Sequence, residues 1–350
     1  MLFDLVATII KMAVFLGVLM GAIAPLMVWV ERRGAGLMQD RPGPNRLGPW
    51  GLFQPLADVF KFFFKEDLTP ALADRWLFLA APALALIPAL TTFVFIPFGP
   101  DVEVAGRMVP LVVSDADAGV LLFLAIASLG VYSLILAGYA SNNKFSLLGG
   151  IRASAQLISY ELAMALAVLA VLIPVGSFHL GRVVDYQHGL WNVVPQFLGF
   201  VVFLVAAFAE TNRLPFDLPE AESELVAGFH TEYSAMRFAA FFTGEYVAMT
   251  TISALAATLY FGGWSLFGFP EWAAGALAGL VGPFWLWMGL IGLGVLLAKT
   301  SVFLFFFVWV RWTFLRFRYD QLMRLGWKVL MPLALVNLIA VAAATVAGWL

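Results

Sequence analysis

Cysteine is absent from this chain, and histidine occurs only three times. Without thiolates there are no disulfides. Neither a Cys-ligated iron–sulfur cluster nor a Cys-ligated zinc site can be built from these residues. Charge is scarce too: 12% of residues are charged, against about 25% in an ordinary soluble domain. The net charge of −2 gives no bias toward nucleic acid. The opening stretch lacks the basic n-region of a cleaved signal, and its apolar run outlasts signal-peptide length, so it reads as a retained first span. There is no clean internal repeat of the kind found in many transporters.

What is present is apolar. Of 350 residues, 62% are hydrophobic, and the mean hydropathy is +0.93. A bilayer-spanning helix needs about 20 mostly apolar residues. Eight stretches qualify, at roughly 5–30, 76–98, 116–140, 153–175, 191–209, 238–261, 281–310 and 328–349. Backbone groups in lipid must be satisfied internally, so these runs are expected to be helices. The expectation is an all-α, polytopic protein of eight transmembrane helices, one membrane domain over 1–350.

Basic residues set the orientation. The odd-numbered loops hold sixteen Lys and Arg, and the opposite side holds Arg107 and Arg182. By the positive-inside rule those loops face the cytoplasm, and both termini lie on the periplasmic side. Three cytoplasmic loops follow: 31–75, the acidic 210–237 and the basic 311–328.

In the first loop, residues 34–51 are rich in Gly and Pro and read as an ordered turn-rich segment. Residues 52–67 read as a helix, with Gln54, Asp58, Lys61 and Lys65 in one narrow stripe among phenylalanines. Two readings stand. The helix either lies on lipid headgroups, or packs against protein with its polar line toward a chamber or partner.

Ionisable groups inside the spans are functional candidates, because each costs at least about 2.5–3.5 kcal/mol near the bilayer centre. Glu161 lies two turns into span four, Glu245 two turns into span six, and Glu210 ends span five. Lys299 sits inside span seven. The bland alternative for each is a paired or hydrogen-bonded structural group. Similar depth from the same side favours a proton relay, with Tyr160 and Tyr246 beside it to add hydroxyls or order water. Lys11 is close enough to the end of span one to snorkel.

Between Glu210 and Glu245 the chain collects seven acids and two bases, Arg213 and Arg237. Pro215 and Pro219 break it into a turn, after which a helix can restart. Glu220 and Glu224 fall on one face, where like charges repel. Capping explains one or two of the acids, so the cluster calls for protonation or for basic partners from elsewhere. A calcium or magnesium site competes, but the spacing is not that of an EF-hand. In the basic loop, Arg316, Arg318 and Asp320 stand close enough together to form a docking or headgroup site, beside a membrane anchor with an aromatic belt.

Four stretches, ERRGAGLMQDRPGPNRLGPWGLFQPLADVFKFFFKED, ISYELAMALAVL, AETNRLPFDLPEAESELVAGFHTEYSAMRFAAFFTGEY and RFRYDQLMRLGWKVLMPL, resemble the signature segments of a membrane subunit of respiratory complex I. This is the H-subunit family of the proton-translocating NADH–quinone oxidoreductase, the counterpart of mitochondrial subunit 1. The resemblance runs from span one to span eight. It implies a multi-pass component of a bacterial inner membrane, anchoring the peripheral arm and forming most of the quinone-access tunnel. It places Glu31, Arg32, Asp58, Lys61, Arg213, Glu220, Glu222, Glu224, Arg316 and Arg318 around the quinone chamber or its entrance. It places Glu161, Glu210 and Glu245 on an acidic path toward antiporter-like subunits. Ubiquinone is the implied substrate, and FMN, NADH and the iron–sulfur clusters belong to partner subunits, in keeping with the absence of cysteine here. The implied partners are the peripheral quinone-site subunits, the small neighbouring membrane subunits and lipid.

The residues themselves agree with this. A quinone needs apolar walls and a few donors; the chain has 33 Phe and basic residues near its loops. Quinol formation takes up two protons, which would shift the titration of Asp217 and the loop glutamates. Two alternatives remain: a homologous component of a membrane-bound hydrogenase, and, from another class, a stand-alone secondary transporter.

Overall fold

The computed structural model describes residues 8–9, 11–13, 17, 23–104, 106–219, 222–278 and 283–349. Residues 5–7, 10, 14–16 and 18–22 of the expected first span lie outside the described residues, as does Glu220. Helices dominate the rest. In chain order they are α1 (Ala24–Met38), α2 (Gln54–Phe64), α3 (Arg75–Thr92), α4 (Gly119–Ala140), α5 (Lys144–Val175), α6 (Leu180–Tyr186), α7 (Phe197–Glu210), α8 (Glu222–Leu225), α9 (Ala235–Tyr260), α10 (Phe269–Ala278), α11 (Phe284–Thr313), α12 (Tyr319–Leu325) and α13 (Met331–Val346). A hairpin of β1 (Val102–Val104) and β2 (Arg107–Val109), antiparallel, is the only sheet among the described residues.

Six helices among the described residues are long and apolar enough to cross a bilayer: Arg75–Phe95, Gly119–Ala140, Lys144–Val175, Ala235–Tyr260, Phe284–Thr313 and Tyr319–Val346. The expected fifth span is shorter. Its helix α7 has 14 residues, or about 21 Å at 1.5 Å per residue, against a hydrocarbon core of about 30 Å. Residues 191–196 turn instead of continuing it, because buried amides bind the C-terminal end of α9. Asn192 Nδ2 donates to the Leu259 carbonyl at 2.9 Å, and Gln187 Nε2 donates to that of Thr258 at 2.9 Å.

Several helices also begin earlier than their apolar runs. The helix expected at 153–175 starts at Lys144, capped by the Asn143 side chain, which accepts from the Phe145 amide at 2.9 Å. The one expected at 328–349 is continuous from Tyr319 through a π-type segment at Gly326–Leu330. The helix α1 carries Glu31 and Arg32 well past the expected loop boundary.

Two layers of contact organise the bundle. The helix α4 packs between α3 and α5, and α5 packs on α7 and α13. The helix α9 touches α1, α2, α3 and α11, and so stands at the centre. Close approach depends on glycine: a Cβ on Gly138 would lie 2.5 Å from the Ser146 carbonyl oxygen, and one on Gly150 would lie 2.7 Å from that of Leu134. This is how small residues let membrane helices meet backbone to backbone. Polar staples fix the register. Gln156 Nε2 donates to the Ala209 and Phe216 carbonyls, both at 2.8 Å, and Tyr160 donates to the Leu322 carbonyl at 2.9 Å.

Candidate functional site

The turn-rich segment after α1 folds back on it. Gly51 has φ +74°, and a Cβ there would lie 2.4 Å from the Pro44 carbonyl, so only glycine fits. Trp29 Nε1 donates to the Trp50 carbonyl at 3.0 Å and ties the segment down. This brings α2 against α1 and α9, and a cavity of ≈ 790 Å³ opens between them. That volume lies within the range of about 300–1,000 Å³ typical of small-molecule sites. Phe62 and Phe63 of α2 and Phe238 and Phe242 of α9 give it apolar walls. Glu31, Arg32, Asp58, Tyr246 and Arg311 give it a polar margin.

The polar stripe of α2 divides. Asp58 pairs with Arg32 of α1, accepts from Gln54 Nε2 at 3.1 Å and lies 3.7 Å from Lys61 Nζ. It therefore lies at the chamber edge. Lys61 itself points outward, as do Phe60 and Phe64. The side of the helix carrying Asp58 edges the cavity, and the side carrying Phe60, Lys61 and Phe64 is exposed.

At the inner wall lies a cluster of four charges. Glu31 is 6% exposed and Arg213 is 4% exposed. Glu31 pairs with Arg311 at one carboxylate oxygen. At the other, Oε2, it accepts from the Tyr246 hydroxyl at 2.8 Å and from Arg213 Nη1 at 3.4 Å. The second arm of the Arg213 fork, Nη2, lies 3.8 Å from Glu245 Oε2, and its guanidinium sits 4.4 Å from the Tyr246 ring centroid. Two acids face two bases, so the cluster is formally neutral. Burial of ions demands such pairing.

A second, smaller cavity of ≈ 100 Å³ lies beyond this cluster. Glu210, Asn212, Glu245 and the hydroxyl-bearing Thr92, Ser133 and Thr251 line it. Successive helix residues point about 100° apart. Glu245 therefore faces the small cavity, while Tyr246 faces the large one. Glu210 Oε2 is buried with no hydrogen-bond partner among the described residues. Glu161, half-buried on α5, acts electrostatically on Glu210. Most of its lining is apolar, but it has room for several waters, and these polar groups give them partners.

Other expected residues fall elsewhere. Asp217, 8% exposed, pairs with Arg316 Nη2 at 2.9 Å, which ties the turn after α7 to the segment before α12. Glu224 pairs at 2.6 Å with Arg152 in the first part of α5, a basic partner from outside the acidic loop. Only the backbone of Glu222 is described, within α8. Arg318 is largely exposed and pairs with its neighbour Asp320 at 3.3 Å. Tyr160 points its hydroxyl to α12, away from the carboxylates.

Lys299 is not brought to the acidic groups. Its ammonium donates to the carbonyls of Phe261, Gly263 and Ser265 at 2.6, 2.9 and 2.5 Å, just past the C-terminal end of α9. That point lies about 22 Å along the helix from Glu245, at 1.5 Å per residue. A cation capping orphan carbonyls at a helix C-terminus is a stabilising arrangement. Arg311 is a site residue that sequence reasoning misses. It reads as one of many bases in a positive-inside loop, although its place in the last turn of an apolar helix marks it as partly buried.

Comparison with other proteins bears on this arrangement. The family model for NADH dehydrogenase matches residues 10–342. The chain is 49% identical over 347 residues to the NADH-quinone oxidoreductase H subunit numbered 1 of Geobacter metallireducens, covering 99% of this chain and 97% of the relative. The chain belongs to the H-subunit family of NADH–quinone oxidoreductase. It is also 48% identical over 333 residues to the H subunit of Methylococcus capsulatus, covering 95% of this chain and 96% of that one. To NADH-quinone oxidoreductase subunit 8 of Rhodothermus marinus it is 48% identical over 324 residues, covering 91% of this chain and 92% of that one. Members of the family are thus matched along nearly their whole length, with both cavities inside the matched region.

Proposed function

We propose that this chain is the membrane subunit of a proton-translocating NADH–quinone oxidoreductase in a bacterial inner membrane, with both termini on the periplasmic side. It forms the chamber through which ubiquinone reaches its electron donor, and it anchors the peripheral subunits that carry FMN and the iron–sulfur clusters. The single observation that carries the reading is the ≈ 790 Å³ cavity, aromatic along its sides and charged at one wall. An apolar ring and tail fit the first, and polar carbonyl oxygens fit the second.

The chamber is edged by Glu31, Arg32 and Asp58, with Lys61 at its outer rim. Arg213 bridges it to Glu245, and Glu245, Glu210 and Glu161 lead away from it. Asp217–Arg316 and Glu224–Arg152 hold the acidic loop in place, and the Glu220–Glu222 segment and Arg318 belong to the entrance side. Electrons delivered to a quinone in the chamber place negative charge beside the Glu31–Arg213–Arg311 cluster until protons neutralise it. Arg213, shared between Glu31 and Glu245, then leans further toward one of them. That transmits the charge change across the wall into the smaller cavity.

The test is steady-state NADH–quinone reductase kinetics of the whole membrane complex carrying Arg32→Ala, with NADH–ferricyanide reductase as a measure of assembled peripheral arm. The expected result is a rise of about tenfold in apparent KM for quinone, the equivalent of one charge-assisted contact. Unchanged quinone kinetics at full assembly would remove the chamber. Hydrogen evolution by the purified assembly, in place of NADH oxidation, would favour the hydrogenase-type relative instead. Ion flux through the reconstituted chain alone would favour a stand-alone transporter.

A further inference from the structure

The helix α2 forms one wall of the chamber, yet it is short, with 11 residues, and many of its phenylalanines are exposed. Its position depends on what holds its two ends. In its N-terminal half the Arg32–Asp58 pair joins it to α1. Its C-terminal end runs into an extended strap at residues 65–69, and this strap is gripped by the first turn of α9. Arg237 Nε lies 2.9 Å from Asp67 Oδ2, and Arg237 Nη1 donates to Thr69 Oγ1 at 2.7 Å. Ser234 Oγ donates to the Glu66 carbonyl at 3.4 Å.

Arg237 is itself held. Its guanidinium lies 5.4 Å from the Phe78 ring centroid, and Phe78 stacks on Tyr233 at 4.0 Å and 7°. Tyr233 in turn donates to the Phe78 carbonyl at 3.2 Å. The next residue, Phe238, lines the chamber and meets Phe62 of α2 at 6.3 Å. One turn of α9 thus carries both the clamp on the strap and the aromatic wall facing α2.

From this we infer that Arg237 is a positioning residue for the quinone chamber: through Asp67 and Thr69 it fixes the end of α2 and so sets the gap between α2 and α9. A planar fork suits the task, because it engages a carboxylate and a hydroxyl in one plane. The inference rests on the quinone reading above and adds to it a residue that does not touch the cavity.

The experiment uses the whole membrane complex with Arg237→Gln, Arg237→Lys and the charge swap Asp67→Arg/Arg237→Asp. Apparent KM and kcat are measured with a short-tail, water-soluble quinone and with a long-tail one, and NADH–ferricyanide reductase normalises for assembly. Arg237→Gln is expected to raise KM for both quinones about fivefold to tenfold, at a kcat within twofold of wild type. Arg237→Lys keeps the ion pair but loses the fork, so it is expected to fall between. The charge swap is expected to recover most of the loss. If Arg32→Ala raises KM while Arg237→Gln and Arg237→Lys do not, the positioning role is overturned and the chamber stands. If KM moves in none of the three, the chamber reading itself fails. Loss of assembled complex in Arg237→Gln, with a normal KM in Arg237→Lys, would make the clamp a folding element only and overturn the proposal.

Discussion

Glu31 shows how much a single buried carboxylate can organise. It takes hydrogen bonds from two guanidinium groups and a tyrosine hydroxyl, and it is nearly sealed from solvent. Removing one partner of a buried ion pair costs about 3–5 kcal/mol, because the remaining charge is stranded. Arg213 is the sharper probe, since both arms of its fork are in use. Lysine keeps the charge but offers a single ammonium, which cannot serve Glu31 and Glu245 together. Arg213→Lys is expected to lower quinone reductase turnover by at least about tenfold, with NADH–ferricyanide reductase unchanged. Equal turnover in membranes of matched content would show that the bridge does nothing. Individual acids and bases are legible in the sequence because charge is conspicuous in apolar surroundings. Their partners are not. Glu31, Arg213 and Glu245 lie on three separate segments, and the fourth member, Arg311, hides among positive-inside residues. Lys299 shows the opposite error: an intramembrane charge that looks like part of a relay caps carbonyls at the far end of α9.

Whole elements are more legible than their ends. The long spans expected from hydropathy are present from α3 onward, except that α7 is short. The residues that escape are polar ones that extend a helix beyond the membrane. Hydropathy reports where lipid begins, not where the helix does, so it reads residues 144–152 and 319–325 as loop. The turns at residues 191–196 escape it because Trp191, Val193 and Val194 join them to the apolar run that follows, while Gln187 and Asn192 shape them through buried hydrogen bonds. The early start of α5 has a consequence. It places Gly149 against the 3₁₀ turn at Gly228–His230, with a would-be Cβ 2.7 Å from the Phe229 amide and 2.9 Å from Gly228 Cα. Both obstacles are backbone and cannot rotate away. Gly149→Ala is therefore expected to cost about 1–3 kcal/mol, as overpacking does. It should also push the acidic loop off α5. Thermal unfolding of the detergent-solubilised complex, read together with trypsin cleavage at Arg237, checks it. An unshifted midpoint with no new cleavage would show that the loop has room to yield.

At the scale of the whole molecule, two cavities of unequal size stand on either side of one charged wall. The larger is built mainly from α1, α2, α9 and the end of α11; the smaller is built from α3, α4, α5, α7 and α9. Two helices contribute to both: α3, with Leu86 on the larger and Ala85, Pro88, Ala89 and Thr92 on the smaller, and α9, which presents Tyr246 to one and Glu245 to the other. If the small cavity carries charge or protons away from the chamber, filling it should separate quinone chemistry from pumping. Ala248 lines the small cavity, and it does so one turn beyond Glu245 on α9. Ala248→Leu would occupy much of the ≈ 100 Å³ and displace water without touching the chamber. The expected outcome is an unchanged apparent KM for quinone and, with most of the cavity water displaced, a proton-to-electron ratio reduced by about half or more in sealed vesicles. Ala248→Ser, which keeps the volume open and adds a hydroxyl, should retain the ratio. A normal ratio in Ala248→Leu would separate the small cavity from pumping. A raised KM in that variant would mean that the two cavities deform together and that the wall between them is not rigid.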